Sequence, residues 1–177
     1  FAGAKLVLDG TAHAAYWAEW YPHEDLASVD VTLGSWQEPD YADNVMPSGN
    51  SMAAHALLRL GRLMDRPHYT AVGKGILEAA SADIAEHPTG FPYMLRAAEF
   101  DASPAVDIVI AGKTGSPDTL ALLAVVRQFF LPTAVLSFAD PDGASYPALT
   151  RQLPLLRDRP MRNGLATAYV CENFTCR

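Results

Sequence analysis

From Asn50 to about Phe100 the apolar residues recur at steps of three and four. Met52, Ala53, Ala56, Leu57, Leu60, Leu63 and Met64 fall on one stripe, the spacing of an amphipathic helix. Gly61 interrupts it and by propensity alone costs up to about 1 kcal/mol relative to alanine. Asp65-Arg66-Pro67 reads as a stop and restart, with Pro67 near the first helical position. Tyr69, Val72, Ile76, Ala79, Ala80 and Ile84 supply a second stripe. His87-Pro88-Thr89-Gly90 ends it, and Pro92 opens a third helix carrying Met94, Leu95 and Ala98. Short links between helices favour antiparallel neighbours.

The period changes at Asp101-Ala102-Ser103-Pro104. Val106 to Ala111 is β-branched and nearly all apolar, as a strand buried on both faces is. Ser116-Pro117 begins a helix through about Phe129, with Leu120, Leu123 and Val126 on its inner side, and Pro132 ends it. Thr133 to Phe138 is a second strand; Ser145 and Pro147 start a short helix; Asn163-Gly164 turns into a last strand, Ala166 to Val170. The expected fold is mixed: a helical hairpin portion over residues 1–102, then a small βαβαβ unit over 103–177 with a short parallel sheet. Before residue 45 the pattern is weaker. Leu6 and Leu8, then Val29, Val31 and Leu33, suggest two short strands around an aromatic cluster of Tyr16, Trp17, Trp20 and Tyr21.

Composition narrows the classes of function. Half of the 177 residues are apolar, enough for one core or two small ones sharing an interface. Thirteen Lys and Arg against twenty Asp and Glu give a net charge of −7, which argues against nucleic-acid and anionic-membrane surfaces. No apolar run reaches the roughly 18 residues that span a bilayer. The opening FAGAKLVLDG has neither an initiator Met nor the layout of a signal peptide. It is expected to lie inside a longer, cytoplasmic protein, and the Asn173-Phe174-Thr175 triplet is then read as chance.

Four groups of residues carry candidate chemistry. Asp43-Asn44 and Pro47-Ser48-Gly49-Asn50-Ser51 precede the first helix. Ser48 or Asn50 suits a helix cap, and the same small polar groups and free N–H donors suit sugar hydroxyls or an anion. Lys113, Thr114 and Ser116 lie in a strand-to-helix turn beyond a strand end, an anion-site position. The phosphate-loop pattern fails there, because Asp107 stands where its first glycine belongs. Cys171 and Cys176 are spaced too widely for a thioredoxin-type pair and are read as buried thiols or a local disulfide. The five histidines form no paired ligand spacing, so no metal and no cofactor is expected. His55, in line with Arg59 and Arg62, reads as solvated or interhelical.

Taken together, Asp43 to Leu60 with its Pro-Ser-Gly-Asn-Ser core, the Val106–Gly112 strand, Phe130-Leu131-Pro132 and the ending Thr167 to Cys176 resemble the C-terminal region of the thioredoxin-domain-containing family that includes spermatogenesis-associated thioredoxin-like proteins. The resemblance covers about residues 40 to 177. It implies an N-terminal thioredoxin-like domain outside this chain and a central (α/α)6 toroid similar to sugar epimerases and six-hairpin glycosidases, closed by the helices of this chain. If the helix from Asn50 lines the toroid, Asp43, Asn44, Ser48 and Asn50 face its funnel and bind a small sugar. Any epimerase- or glycosidase-like catalysis then needs residues outside the chain. The alternative is a non-catalytic module that docks the remainder of the same protein. An incomplete ring exposes helix faces, so homo-oligomers are also expected.

Overall fold

The computed structural model describes residues 41–172 in full and residues 4–6, 18–20 and 175–176 by their backbone. The chain divides into two compact units, 1–40 and 41–177. In the first, strand β1 (Ala4–Leu6) pairs antiparallel with β2 (Ala18–Trp20). The strand expected around Val29, Val31 and Leu33 lies outside the described residues, as do Tyr16, Trp17 and Tyr21.

The second unit runs without a break across Ser103. Its helices are α1 (Gly49–Leu63), α2 (Pro67–Glu86) and α3 (Pro92–Ala102), and α1 packs against both others. Pro67 and Pro92 stand in the first turns of α2 and α3, where a missing N–H costs nothing and the fixed φ helps. The link after α1 turns through Asp65 at φ 52°. Gly61 of α1 lies against Thr70 of α2 while Gly73 lies against Ala54 and Leu58, so the pair is antiparallel.

That hairpin corrects the reading of Gly61. A Cβ there would come within 2.4 Å of the Thr70 hydroxyl and 2.9 Å of its backbone nitrogen. The glycine permits the helices to cross closely. Gly75, by contrast, faces open space. Gly75→Ala is therefore expected to stabilise the unit by up to about 1 kcal/mol, and Gly61→Ala to destabilise it by about 1–3 kcal/mol. Urea unfolding of both variants measures the difference, and a Gly61→Ala as stable as Gly75→Ala would refute the close crossing.

The buried face of α1 is also rotated from the expected stripe. Ala53 and Leu57 are inside as expected, joined by Asn50, Ser51, Ala54, Leu58 and Gly61, whereas Met52, Ala56 and Leu60 are exposed. Small residues take the inner face because α2 and α3 both approach it. In α3 the buried residues are Met94, Ala97 and Phe100.

Past Ser103 the elements are β3 (Val106–Ala111), α4 (Pro117–Val126), β4 (Ala134–Ala139), α5 (Tyr146–Gln152), β5 (Thr167–Glu172) and β6 (Thr175–Cys176). They form a sheet in the order β4-β3-β5-β6. Val106 pairs with Ala134 in a parallel ladder, as expected. The last strand corrects the expectation: β5 is antiparallel to β3, with Ala111 opposite Thr167, so the sheet is mixed. Length explains it. The seven residues of α5 span about 10 Å, half of the roughly 20 Å of a six-residue strand. The rest of the connection bends through a 3-10 turn at Pro154–Leu156 and left-handed Asp158, Asn163 and Gly164. The chain re-enters at the end of the sheet it had left. On that face Val109, Ala111, Ala139 and Tyr169 bury Leu156, flanked by Tyr146, Leu149 and Leu153.

α4 differs from expectation in burial. Leu120, assigned to its inner side, is 54% exposed, and Thr119 is the helix's buried residue. Thr119 lies so close to Gly112 that a Cβ on the glycine would meet its hydroxyl at 2.2 Å.

Candidate functional site

The Asp43–Ser51 turn is tied down from both ends. Ser48 is the cap of α1: its hydroxyl accepts the Ser51 N–H at 3.1 Å, shares a 2.8 Å bond with the Ser51 hydroxyl and donates to the Tyr41 carbonyl. Asp43 Oδ1 accepts the Ser48 N–H at 2.8 Å. Its Oδ2 accepts the N–H of Tyr93 at 2.7 Å and of Met94 at 3.3 Å. Those two are the second and third residues of α3, so Asp43 caps a helix fifty positions away, and its charge suits the positive end of that helix. Phe91, the residue that would ordinarily cap α3, offers no side-chain acceptor. Burial by itself would raise the Asp43 carboxyl, but the bonds from Ser48, Ser51, Tyr93 and Met94 outweigh it and hold the pKa below the ordinary value.

The predicted binding residues thus divide. Asp43 and Ser48 sit together inside the knot, Asn50 is buried in the first turn of α1, and Asn44 is exposed. None of the three cavities described here is lined by them.

One turn further along α1, His55 is interhelical, as one of its two expected readings had it, and not solvated. Its ring lies edge-on to Tyr93 and Phe100, with Nδ1 3.4 Å from the Tyr93 hydroxyl and Nε2 buried without a partner. Desolvation first, then the charges of Arg59 and Arg96, lower its pKa, so the ring is neutral at neutral pH.

Arg59 and Arg62 join the helices to the sheet. Arg59 donates to the carbonyls of Pro132 and Ala134. Arg62 Nε meets Asp107 Oδ1 at 2.8 Å and Nη1 reaches the Thr133 carbonyl at 3.3 Å. Both guanidiniums lie over Phe100, at 5.2 and 5.4 Å from its centroid. Asp107 and Arg62 are 5% and 13% exposed, an ion pair in low dielectric. A cavity of about 580 Å³ borders Arg62 and is walled also by Leu58, Thr70, Lys74 and Phe100. A smaller one, about 210 Å³, also borders Arg62 and is walled by Asp107, Leu155, Arg159 and Cys171. Sequence reasoning noticed Asp107 only as an obstacle to a phosphate loop; a lone charge inside an apolar strand was the available signal for a buried partner.

The Lys113 turn carries carboxylates where an anion would sit. The Thr114 N–H donates to Asp140 Oδ2 at 2.7 Å, and Lys113 Nζ lies 3.5 Å from Asp142. Ser116 shares a 2.8 Å bond with Thr119, and Asp118 accepts the Ala166 N–H. The backbone bond from Thr114 is the main reason the Asp140 pKa is lowered, as the bond from Ala166 is for Asp118. Cys171 is disulfide-bonded, and the chain's other cysteine, Cys176, stands opposite it across β5 and β6. Among the described residues no three His, Cys, Asp or Glu side chains gather as a metal site, and no helix is long and apolar enough to cross a membrane.

Fold and junction together define a mixed α/β module, a helical hairpin clamped to a four-stranded sheet by two arginines. Over 137 residues the chain is 37% identical to spermatogenesis-associated protein 20 of Homo sapiens and 36% identical to that of Rattus norvegicus. The aligned stretch covers 77% of this chain but 17% of each of those relatives. The chain is thus related to spermatogenesis-associated protein 20 and corresponds to about a sixth of its length. No protein-family model matches the chain, and no solved structure does.

Proposed function

We propose that this chain is the closing module of a longer protein of the spermatogenesis-associated, thioredoxin-domain-containing type, and that it works by docking against the remainder of that protein. One observation carries the reading: large apolar side chains stand exposed on either side of β3 and on the link before β4. In β4, Leu136 and Phe138 alternate with buried Val135, Ser137 and Ala139, so they share the opposite face. The register sets Leu136 and Val170 on either side of Ile108, and Phe138 beside Ile110. Ile108 and Ile110 are buried, whereas Leu136, Phe138 and Val170 are 42%, 37% and 46% exposed. Leading into β4, Phe130 is 87% exposed. Soluble monomers rarely leave apolar surface of this kind uncovered. The relatives carry several times this length of chain, which supplies the occupant.

In this reading the helices α1–α3 close the (α/α) toroid of the longer protein, with exposed Met52 and Leu60 turned toward its neighbours. Carbohydrate chemistry, where the full protein has it, draws its acid and base from outside this chain. A sugar at the Asp43–Asn50 turn would have to compete with α3 for the Asp43 carboxylate. The thioredoxin-like domain is a partner within the same longer protein, and the cytoplasm is the compartment.

The test is reconstitution. The 177-residue chain alone is expected to self-associate or bind a hydrophobic dye, and co-expression with the remaining segment of the full protein is expected to give a stable complex. Phe138→Glu with Leu136→Lys should abolish the complex while leaving the circular dichroism of the chain unchanged. A dye-silent monomer that ignores the remaining segment would overturn the proposal.

A further inference from the structure

A second concave feature lies away from this apolar face and rests on separate observations. Residues 157–169 enclose a cavity of about 680 Å³ lined by Arg157, Asp158, Arg159, Arg162, Thr167 and Tyr169, with Ala168 between the last two. In a chain of net charge −7, Arg157 and Arg162 line this cleft with a single carboxylate, Asp158, in the wall. We propose that this cleft binds a small molecule bearing a phosphomonoester, a ligand that the docking role does not require.

Arg157 and Arg162 are held by contacts that leave their charge uncancelled. Arg157 donates from Nε to the Thr150 carbonyl at 2.8 Å and from Nη2 to that of Arg151 at 3.4 Å. Arg159 donates to the Leu155 carbonyl and reaches the Cys171 sulfur at 3.3 Å. Arg162 lies over the Tyr169 ring at 5.8 Å. Among the described residues, neither Arg157 nor Arg162 pairs with a carboxylate.

The loop that carries them is itself pinned. The Tyr169 hydroxyl donates to the Pro160 carbonyl at 2.6 Å, and Thr167 Oγ1 accepts the Arg162 N–H at 2.9 Å while donating to Leu165. Asn163 and Gly164, at φ 52° and 72°, make the tight turn that bridges Arg162 to Leu165. Asp158 at φ 57° sets Arg157 and Arg159 on either side of a left-handed residue. A site of fixed donors gains affinity because little ordering remains to be done on binding.

The chemistry selects the ligand class. A guanidinium presents a planar fork of donors. A carboxylate satisfies one fork with its two oxygens, whereas a dianionic phosphate has a third oxygen for a second. The cavity lies within the roughly 300–1,000 Å³ usual for small-molecule sites, and Tyr169 and Ala168 offer a wall for the ligand's body. Asp158 is the one acidic group in the lining.

Calorimetric titration of the 177-residue chain with phenyl phosphate tests this, with phenylacetate and a phosphoserine peptide as comparison arms. Phenyl phosphate is expected to bind, more tightly as pH rises through the second phosphate ionisation near 6 and less tightly as salt is raised. Arg162→Ala should weaken binding about tenfold or more without shifting the melting temperature, Arg162→Lys should lie between, and Arg127→Ala, just after α4, should change nothing. Absence of binding, equal affinity in Arg162→Ala, or tighter binding of phenylacetate or of the phosphopeptide would overturn the assignment.

Discussion

Asp107→Ala is expected to destabilise the second unit by about 3–5 kcal/mol, because it strands a buried cation. Arg62 is 13% exposed, its Nε loses the 2.8 Å bond to Asp107, and Nη2 already lacks a hydrogen-bond partner. What remains is the Thr133 carbonyl and the face of Phe100, which do not replace a carboxylate. Burying an ion pair costs desolvation on both sides, so the pair itself contributes much less than its rupture removes. The paired replacement Arg62→Met with Asp107→Leu is accordingly expected to come within about 1 kcal/mol of the parent or exceed it. Urea unfolding followed by circular dichroism, on the two single variants and the double, gives the coupling directly. An Asp107→Ala variant within about 0.5 kcal/mol of the parent would mean that Arg62 escapes to solvent and that the junction is not sealed.

The second large effect falls on Asp43. Asp43→Ala removes three backbone hydrogen bonds to a charged acceptor and leaves the N–H groups of Ser48, Tyr93 and Met94 unsatisfied. A loss of about 2–4 kcal/mol is expected, in line with bonds of this kind and with removal of a helix cap. The pH dependence has a definite sign. The folded pKa lies below the unfolded value, so the stabilisation is complete above the unfolded pKa and disappears as pH falls through the folded one. Unfolding measured from pH 7 downward should show this loss setting in below about pH 4, and Asp43→Asn should flatten that limb. The same variant separates structure from binding. A sugar-binding role alone would leave Asp43→Ala as stable as the parent, and such a result would refute the capping role.

The other candidates divide by how locally their chemistry is set. Ser48 acts as a cap within four residues of sequence, and that much follows from a small polar residue before a helical stripe. The second partner of the knot is α3, fifty residues on, and no spacing rule announces it. His55, Arg59 and Arg62 were aligned correctly on one face of α1, but that face meets Phe100 and the sheet rather than water.

Sequence alone determined the elements. Among the described residues, the five α-helices, the two parallel strands and most of the breaks between them follow from periodicity, proline and glycine, which act over a few residues. Tertiary structure decided the rest. Which side of α1 is inside depends on α2 and α3 converging on it, so Ala54, Leu58 and Gly61 are buried while Leu60 is not. Gly61 is a weakness by propensity and a requirement by contact, because Thr70 occupies the space its side chain would need. β5 runs antiparallel because a short helix and a left-handed loop return the chain to the end of the sheet it had left. The Arg62–Asp107 junction joins residues 45 positions apart, and only the closing of the fold gives each charge its partner.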